Sequence, residues 1–146
     1  SLLPSYVHRF PRENTFYVVS FIQDLLKGDV DGCLERTRSF FASIPNDLEN
    51  KTEKHYQTIF YLLFRLMGQY VDVEVKSAIG RADAVVKLQD AIYVFEFKLD
   101  GSVKDALRQI DEKGYLLPYE ADGRELVKIG VSFSKEDRNL DCWEIV

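Results

Sequence analysis

Apolar residues recur with the period of a helix in the first half of the chain and with the period of a strand in most of the second half. Up to residue 68, apolar side chains return every three or four positions, as on a helix packed against a core. The pattern predicts three helices, over residues 13–27, 30–42 and 51–68. The third is apolar nearly all round after its first turn, so we expect it to be deeply packed.

Beyond residue 69, alternating and β-branched apolar residues are typical of strands. Five strands are predicted, with one helix, residues 102–117, between the third and the fourth: residues 70–75, 82–88, 91–97, 125–133 and 139–146. The order of three helices, three strands, a helix and two strands indicates an α/β fold. We expect an N-terminal helical annex over residues 1–48 and an α/β core over residues 49–146.

Composition and charge narrow the class of protein. The 146 residues are 46% hydrophobic and 29% charged, which is typical of a single globular domain. A formal net charge of −5 argues against a surface that is basic all over, although carboxylates gathered to hold a metal ion also make a chain acidic. No apolar run approaches the roughly 20 residues of a membrane span. Cys33 and Cys142 lack metal or redox spacing, which indicates buried free thiols in a reducing cytoplasm.

The second and third predicted strands carry charged residues where a buried sheet normally has none. If the strands form an antiparallel hairpin around Gln89 and Asp90, then Asp83 lies opposite Glu96, with Cβ atoms roughly 4.5–5.5 Å apart. Lys98 shares a face with Glu96 because side chains alternate along a strand. A loop one residue longer or shorter would place the two carboxylates on opposite faces.

Two neighbouring carboxylates on buried strands repel each other and are costly to desolvate, and a divalent cation removes both problems. Mg²⁺ typically binds one or two protein carboxylates and keeps waters that a phosphate oxygen can replace. Lys98 could orient or help deprotonate an attacking water. The pattern therefore predicts metal-assisted hydrolysis of a phosphodiester. The alternative is a pair of strand ends at which Glu96 and Lys98 are merely solvated.

Asp83, Glu96 and Lys98, on two consecutive strands followed by a helix, resemble the motif of the PD-(D/E)XK nuclease superfamily. The stretch GRADAVV…IYVFEFKLDGSVKDALRQIDEKGY is similar to the nuclease-like domain at the C-terminus of a family of bacterial and archaeal AAA-ATPase-like proteins. The resemblance covers about residues 51–133. It implies a restriction-endonuclease-like core, with a mixed central β-sheet flanked by helices, and an N-terminal segment that joins this core to an ATPase-like part.

The resemblance also implies roles for particular residues. Asp83 and Glu96 would bind Mg²⁺ or Mn²⁺ together with the main-chain carbonyl of Phe97, and Lys98 would be the catalytic lysine. One departure from the superfamily pattern is Ala82, which stands where a proline usually precedes the first acid.

Two further residues match the family in helices. Glu53 matches an acid that often completes the metal site, although Asn50 and Glu53 also stand at the spacing of a capping box. Gln109 matches a glutamine in the helix after the catalytic strands, where it would contact a phosphate or the site itself. The alternative for Gln109 is a solvated helix face.

A nuclease implies a nucleic-acid partner, and DNA is the expected one. The basic residues that could form a rim for a phosphate backbone are Lys51, Lys54, Arg81, Lys104, Arg108 and Lys113. Acids interleave with those of the fourth predicted helix, so a plain solvated helix is the alternative. No Walker-type phosphate-binding loop occurs, so any ATPase activity would belong to another part of a longer chain.

The sequence thus leaves three functions open, of which the third is a helical-annex domain used for oligomerisation. The first is a metal-dependent nuclease domain of a larger AAA-ATPase-like protein. The second is a non-catalytic module that binds nucleic acid or protein and retains the nuclease fold. The intact set of Asp83, Glu96 and Lys98 favours the first function, and the net acidity leaves the second open.

Overall fold

The computed structural model describes the backbone of residues 16–43, 53–78 and 81–146, with side chains for residues 16–43, 57–76 and 83–146. Helix α1 covers residues 16–26. The other elements are α2 (Val30–Ala42), α3 (Glu53–Met67), β1 (Asp72–Ala78), β2 (Arg81–Lys87), β3 (Ala91–Leu99), α4 (Val103–Lys113), a 3₁₀ turn (Leu117–Tyr119), β4 (Glu125–Ser134) and β5 (Asn139–Ile145). This order confirms the predicted α/β fold. No helix within these ranges is long and apolar enough to cross a membrane.

Capping residues set the ends of two helices. The Asp29 side chain accepts a hydrogen bond from the Gly32 amide at the start of α2, and Ser102 accepts one from the Asp105 amide at the start of α4. Helix α4 ends at Lys113, four residues earlier than predicted. The reason is Gly114, which adopts the left-handed conformation (φ +65°) that commonly ends a helix.

The five strands form one mixed sheet in the order β1-β2-β3-β4-β5. Strands β3 and β4 run parallel, and the other neighbouring pairs are antiparallel. A parallel pair needs a crossover connection, and α4 supplies it by packing across β3 and β4. The predicted mixed sheet flanked by helices is therefore present.

The two faces of the sheet have cores of different size. One face packs against α1, α2 and α3 through a large cluster rich in phenylalanine, in which Phe60 of α3 stacks on Phe97 of β3. The other face packs against α4 through a small cluster that includes Val94 and Ile110. Residues of α1 and α2 thus share a core with the sheet. Cys33 is buried in this core, but Cys142 on β5 is exposed, so the prediction of a buried thiol is wrong for Cys142. The division into residues 1–48 and 49–146 stays a prediction.

Gly130 of β4 allows α4 to lie close to the sheet. A Cβ atom at this position would lie 2.8 Å from the Val103 carbonyl oxygen and 3.0 Å from Cγ of Leu107. Because the nearest atom belongs to the helix backbone, α4 would have to shift to accept a side chain. Gly130 also lies opposite Glu96 in the sheet, so this close packing occurs at the level of the carboxylate pair.

Replacement of Gly130 by Ala is expected to lower the free energy of unfolding by roughly 1–3 kcal/mol, because the added methyl group overpacks the contact with α4. Denaturant unfolding measures the change. Glu144→Ala is the control, since Glu144 is exposed on β5 and lies opposite Gly130 in the register. Its effect should stay within about 0.5 kcal/mol. Equal losses in the two variants would contradict the close approach of α4.

Candidate functional site

The hairpin of β2 and β3 has the register that the sequence predicted. Asp83 lies directly opposite Glu96, and the hairpin closes where the Leu88 amide donates to the Ala91 carbonyl at 2.9 Å. Both carboxylates lie on the sheet face that α4 covers. Asp83 is 6% exposed and Glu96 is fully buried, so the interpretation of Glu96 as a solvated strand-end residue is wrong.

The last residue of α4 and a residue just after the helix contact the carboxylates. The Lys113 ammonium lies 3.1 Å from Asp83 Oδ2 and 3.3 Å from Glu96 Oε1. The Tyr115 hydroxyl donates a hydrogen bond of 2.5 Å to the same Asp83 oxygen. Gly114 turns the chain between Lys113 and Tyr115, which lets both side chains reach the sheet. The site therefore consists of two acids from the hairpin with a lysine and a tyrosine from α4 and the turn after it.

The other two carboxylate oxygens have no donor from outside the pair. Asp83 Oδ1 and Glu96 Oε2 are buried, and within the described part of the chain they are the buried side-chain polar atoms that lack a hydrogen-bond partner. Buried polar atoms are rarely left unpaired, because desolvation without a hydrogen bond is costly. A proton or a cation held by the pair would satisfy these oxygens.

The pKa values of the two carboxyl groups are shifted in opposite directions. Burial of Glu96, together with its hydrogen bond to Asp83 and the negative charge there, raises the pKa of Glu96 to about 8. Burial also acts to raise the pKa of Asp83, but hydrogen bonds from Glu96, Tyr115 and Lys113 outweigh it and leave that pKa below its usual value. At neutral pH the metal-free pair therefore carries one proton, which Glu96 holds and donates to Asp83.

Lys98, the catalytic lysine implied by the resemblance, is half-buried and lies two residues beyond Glu96 on the same face of β3. Its aliphatic stem packs against Gly101 in the turn before α4. Its ammonium makes no ion pair with any carboxylate in the part of the chain that the structure describes. Lys98 thus lies near the acids, but Lys113 is the lysine that contacts them.

The remaining predicted site residues have different outcomes. Gln109 is half-buried on α4, one turn before Lys113, and lies on the same side of the helix. Glu53 is the first residue of α3, but its side chain lies outside the described residues, so both its metal role and its capping role stay predictions. Phe97 continues β3 directly after Glu96 and pairs with Ala82 and Val131.

The basic rim predicted on α4 is only partly present. Arg108 pairs with Asp105 at 2.9 Å, and Lys113 turns inward to the carboxylates instead of joining a surface rim. Lys104 is exposed, as expected for a rim residue. The side chains of Lys51, Lys54 and Arg81 lie outside the described residues.

Sequence reasoning missed Tyr115 and the role of Lys113. Both belong to the stretch ALRQIDEKGY, which carries the family resemblance, but helical spacing alone suggested a solvated face. It also missed Lys76, which lies opposite Asp83 on β1 and places its ammonium 5.5 Å from the centre of the Tyr115 ring. Positive charge therefore flanks the acids from β1, β3 and α4.

The donor set meets the requirements of a small divalent cation. Mg²⁺ needs one or two carboxylates, with waters and substrate phosphates at its other positions. Asp83 and Glu96 supply two carboxylates, each with one unpaired buried oxygen. Across the described residues, no group of three or more His, Cys, Asp and Glu side chains forms a complete protein cage for a metal. The residues thus fit a metal that retains part of its hydration shell.

A mixed sheet with Asp on β2, Glu-x-Lys on β3 and a crossover helix after β3 is the arrangement of a PD-(D/E)XK nuclease domain. The family model for the PD-(D/E)XK nuclease superfamily matches residues 51–143, and the chain belongs to this superfamily. It is also similar to a protein of Azotobacter chroococcum described as an uncharacterised protein in the vnfD 5′ region. The two are 34% identical over 123 residues, which is 80% of this chain and 24% of that protein. No solved structure matches the chain significantly.

Proposed function

We propose that this domain is a Mg²⁺- or Mn²⁺-dependent nuclease that hydrolyses phosphodiester bonds of nucleic acid, with DNA as the expected substrate. The observation that carries the proposal is the pair of unpaired buried oxygens, Asp83 Oδ1 and Glu96 Oε2, beside an intact Glu-x-Lys sequence. Nucleases of this superfamily typically use divalent metals such as Mg²⁺. In this proposal Asp83, Glu96 and the Phe97 carbonyl hold the metal, and Glu53 assists them.

The side chains around the acids have distinct tasks in the proposed reaction. The bound metal would polarise a phosphate oxygen and lower the pKa of a water. Lys98 lies on the same strand face and carries no ion pair to a described carboxylate, so its ammonium can orient the attacking water or offset charge on the phosphate. Gln109, half-buried near Lys113, would contact the phosphate backbone. Tyr115 holds Asp83 in place through its hydroxyl.

The longer protein is part of the proposal. We propose that this domain follows an ATPase-like part in its parent chain and acts in the cytoplasm. The resemblance to the C-terminal domain of AAA-ATPase-like proteins supports that order. The length of the Azotobacter relative agrees with a longer parent chain, since this chain spans about a quarter of that protein.

A second candidate is a non-catalytic module that binds nucleic acid or protein. The contact that favours it is the one made by Lys113, which already neutralises the carboxylate pair without a metal. The net charge of −5 also provides little general attraction for a polyanion.

Cleavage assays with the purified protein separate the two candidates. With Mg²⁺ or Mn²⁺, the unmodified domain should cut single- or double-stranded DNA, and Asp83→Asn and Lys98→Ala should each lower the rate by more than about 100-fold, since even residues behind metal ligands typically cost 10–100-fold. Lys27→Ala is the control, because Lys27 is exposed beside the Gln89–Asp90 turn at the far end of the hairpin. A protein that binds no divalent cation and cuts neither DNA nor RNA would contradict the nuclease proposal.

A further inference from the structure

The carboxylate pair has a cation of its own. Lys113 bridges the two acids, with its ammonium 3.1 Å from Asp83 Oδ2 and 3.3 Å from Glu96 Oε1. The oxygens it uses are different from the two that lack a partner. One oxygen of each acid thus faces the protein's own positive charge, and the other oxygen of each acid is left for the proton that the pair holds or for a cation that replaces this proton.

A metal ion and Lys113 would neutralise the same negative charge. The pair carries at most two negative charges, while a divalent cation and an ammonium together carry three positive ones. Two like charges a few ångströms apart in a buried site repel strongly, because little water screens them. Binding of the metal therefore weakens the electrostatic attraction between the acids and the Lys113 ammonium.

The position of Lys113 allows its ammonium to leave. It is the last residue of α4, its side chain is 22% exposed, and Gly114 turns the chain immediately after it. A lysine side chain is a flexible four-carbon stem whose charged head readily reaches water. Tyr115, whose ring makes its side chain stiffer, can keep its hydrogen bond to Asp83 while Lys113 moves.

We propose that Lys113 is a built-in counter-ion of the carboxylate pair, and that a divalent cation displaces its ammonium toward a phosphate oxygen of the substrate. This inference rests on the proposed function, since it requires the metal site. It assigns the two lysines different tasks. Lys98, without an ion pair to the described acids, is available for the water in both states, whereas Lys113 becomes available only after the metal binds.

The test measures Mn²⁺ binding by calorimetry, with no nucleic acid present. Lys113→Met removes the charge and keeps the length of the stem, and it should bind Mn²⁺ at least about tenfold more tightly than the unmodified protein, because the repulsion is gone. Lys113→Arg keeps the charge and should bind Mn²⁺ within about threefold of the unmodified protein. Lys27→Met is the matched control, since it removes one positive charge about 20 Å away along the hairpin.

A second readout is the thermal shift that Mn²⁺ produces. Without metal, Lys113→Met should unfold at a lower temperature than the unmodified protein, because both acids lose the ammonium that bridges them. Saturating Mn²⁺ should then raise the unfolding temperature of this variant more than that of the unmodified protein. If Lys113→Met does not fold, Lys113→Gln, which keeps a hydrogen-bond donor, replaces it in both measurements.

The possible outcomes separate this inference from the proposed function. Unchanged or weaker Mn²⁺ binding by Lys113→Met, with clear binding by the unmodified protein, overturns the counter-ion role and leaves the metal site standing. Binding by the variant alone overturns the displacement step, since the metal could not then replace Lys113 in the unmodified protein. Failure of every variant and of the unmodified protein to bind Mn²⁺ overturns the metal site and this inference with it.

Discussion

Glu96→Gln is expected to abolish the proposed metal-dependent cleavage while leaving the metal-free protein at least as stable as the unmodified one. Glutamine has the shape of a protonated glutamate, and the pKa of about 8 means that Glu96 is already protonated in the metal-free fold at neutral pH. The amide cannot become a carboxylate, so the metal loses a ligand. The rate of cleavage should fall by more than about 100-fold.

The pH dependence of stability provides the check on this argument. Glu96 is ionised in the unfolded chain above its ordinary pKa of 4.5, but it stays protonated in the fold up to a pKa of about 8. Between these values the unfolded state binds fewer protons, so the contribution of Glu96 to stability falls as the pH rises. Denaturant unfolding in EDTA should show this loss from about pH 4.5 to about pH 8 for the unmodified protein, and Glu96→Gln should remove it.

Asp83→Asn is the matched variant, because it alters the other acid of the same pair. The pKa of Asp83 lies below its ordinary value, so Asp83 contributes stability above the unfolded pKa that is lost as the pH falls through the folded value. An asparagine leaves Lys113 without that charge and should destabilise the metal-free protein at neutral pH. Equal stability losses in Glu96→Gln and Asp83→Asn would contradict the assignment of the proton to Glu96.

Phe60→Ala is expected to lower the free energy of unfolding by about 3–5 kcal/mol, which is a large part of the 5–15 kcal/mol of a typical domain. Phe60 is 1% exposed and its ring contacts Phe41, Phe97 and Phe133, with centroids 4.6, 4.3 and 5.6 Å away. Its removal leaves a cavity between α2, α3 and the sheet that rigid neighbours cannot fill. Denaturant unfolding measures the loss.

Leu62→Ala is the control for this prediction, because Leu62 lies on the same helix but is 52% exposed. It should cost less than about 1 kcal/mol, since little packing is lost at an exposed site. A loss from Phe60→Ala as small as that of the control would show that α3 does not pack on the sheet as described. Phe97, which Phe60 contacts, directly follows Glu96, so the same packing supports the strand that carries the proposed metal ligand.

The hairpin and its pair of acids could be predicted from the chain because they depend on local rules. Side chains alternate along a strand, and the polar break at Gln89 and Asp90 marks the turn, so the parity of the two strands follows from counting residues. The observed pairing of Asp83 with Glu96 agrees with that count. The order of helices and strands could also be predicted, because apolar periodicity reflects which faces are buried.

The end of α4 was predicted less accurately than the hairpin. The predicted helix extended to residue 117 because apolar residues continue past Gly114. In the fold, Gly114 takes a left-handed conformation and the chain continues into the 3₁₀ turn. Leu116 and the turn residue Tyr119 pack against the small core under α4, so their apolar character reflects tertiary packing and not a longer helix.

The sequence alone thus established the fold class, the strand register and the two acids that share a face, since each depends on residues near one another in the chain. The contact of Lys113 and Tyr115 with Asp83 joins residues 30 and 32 positions apart, and the burial of Glu96 requires α4 to cover the sheet. Both depend on how closely a helix packs on a sheet, and Gly130 permits that approach. A polar helix face gives no local sign that one of its lysines turns inward, because long-range packing determines the direction.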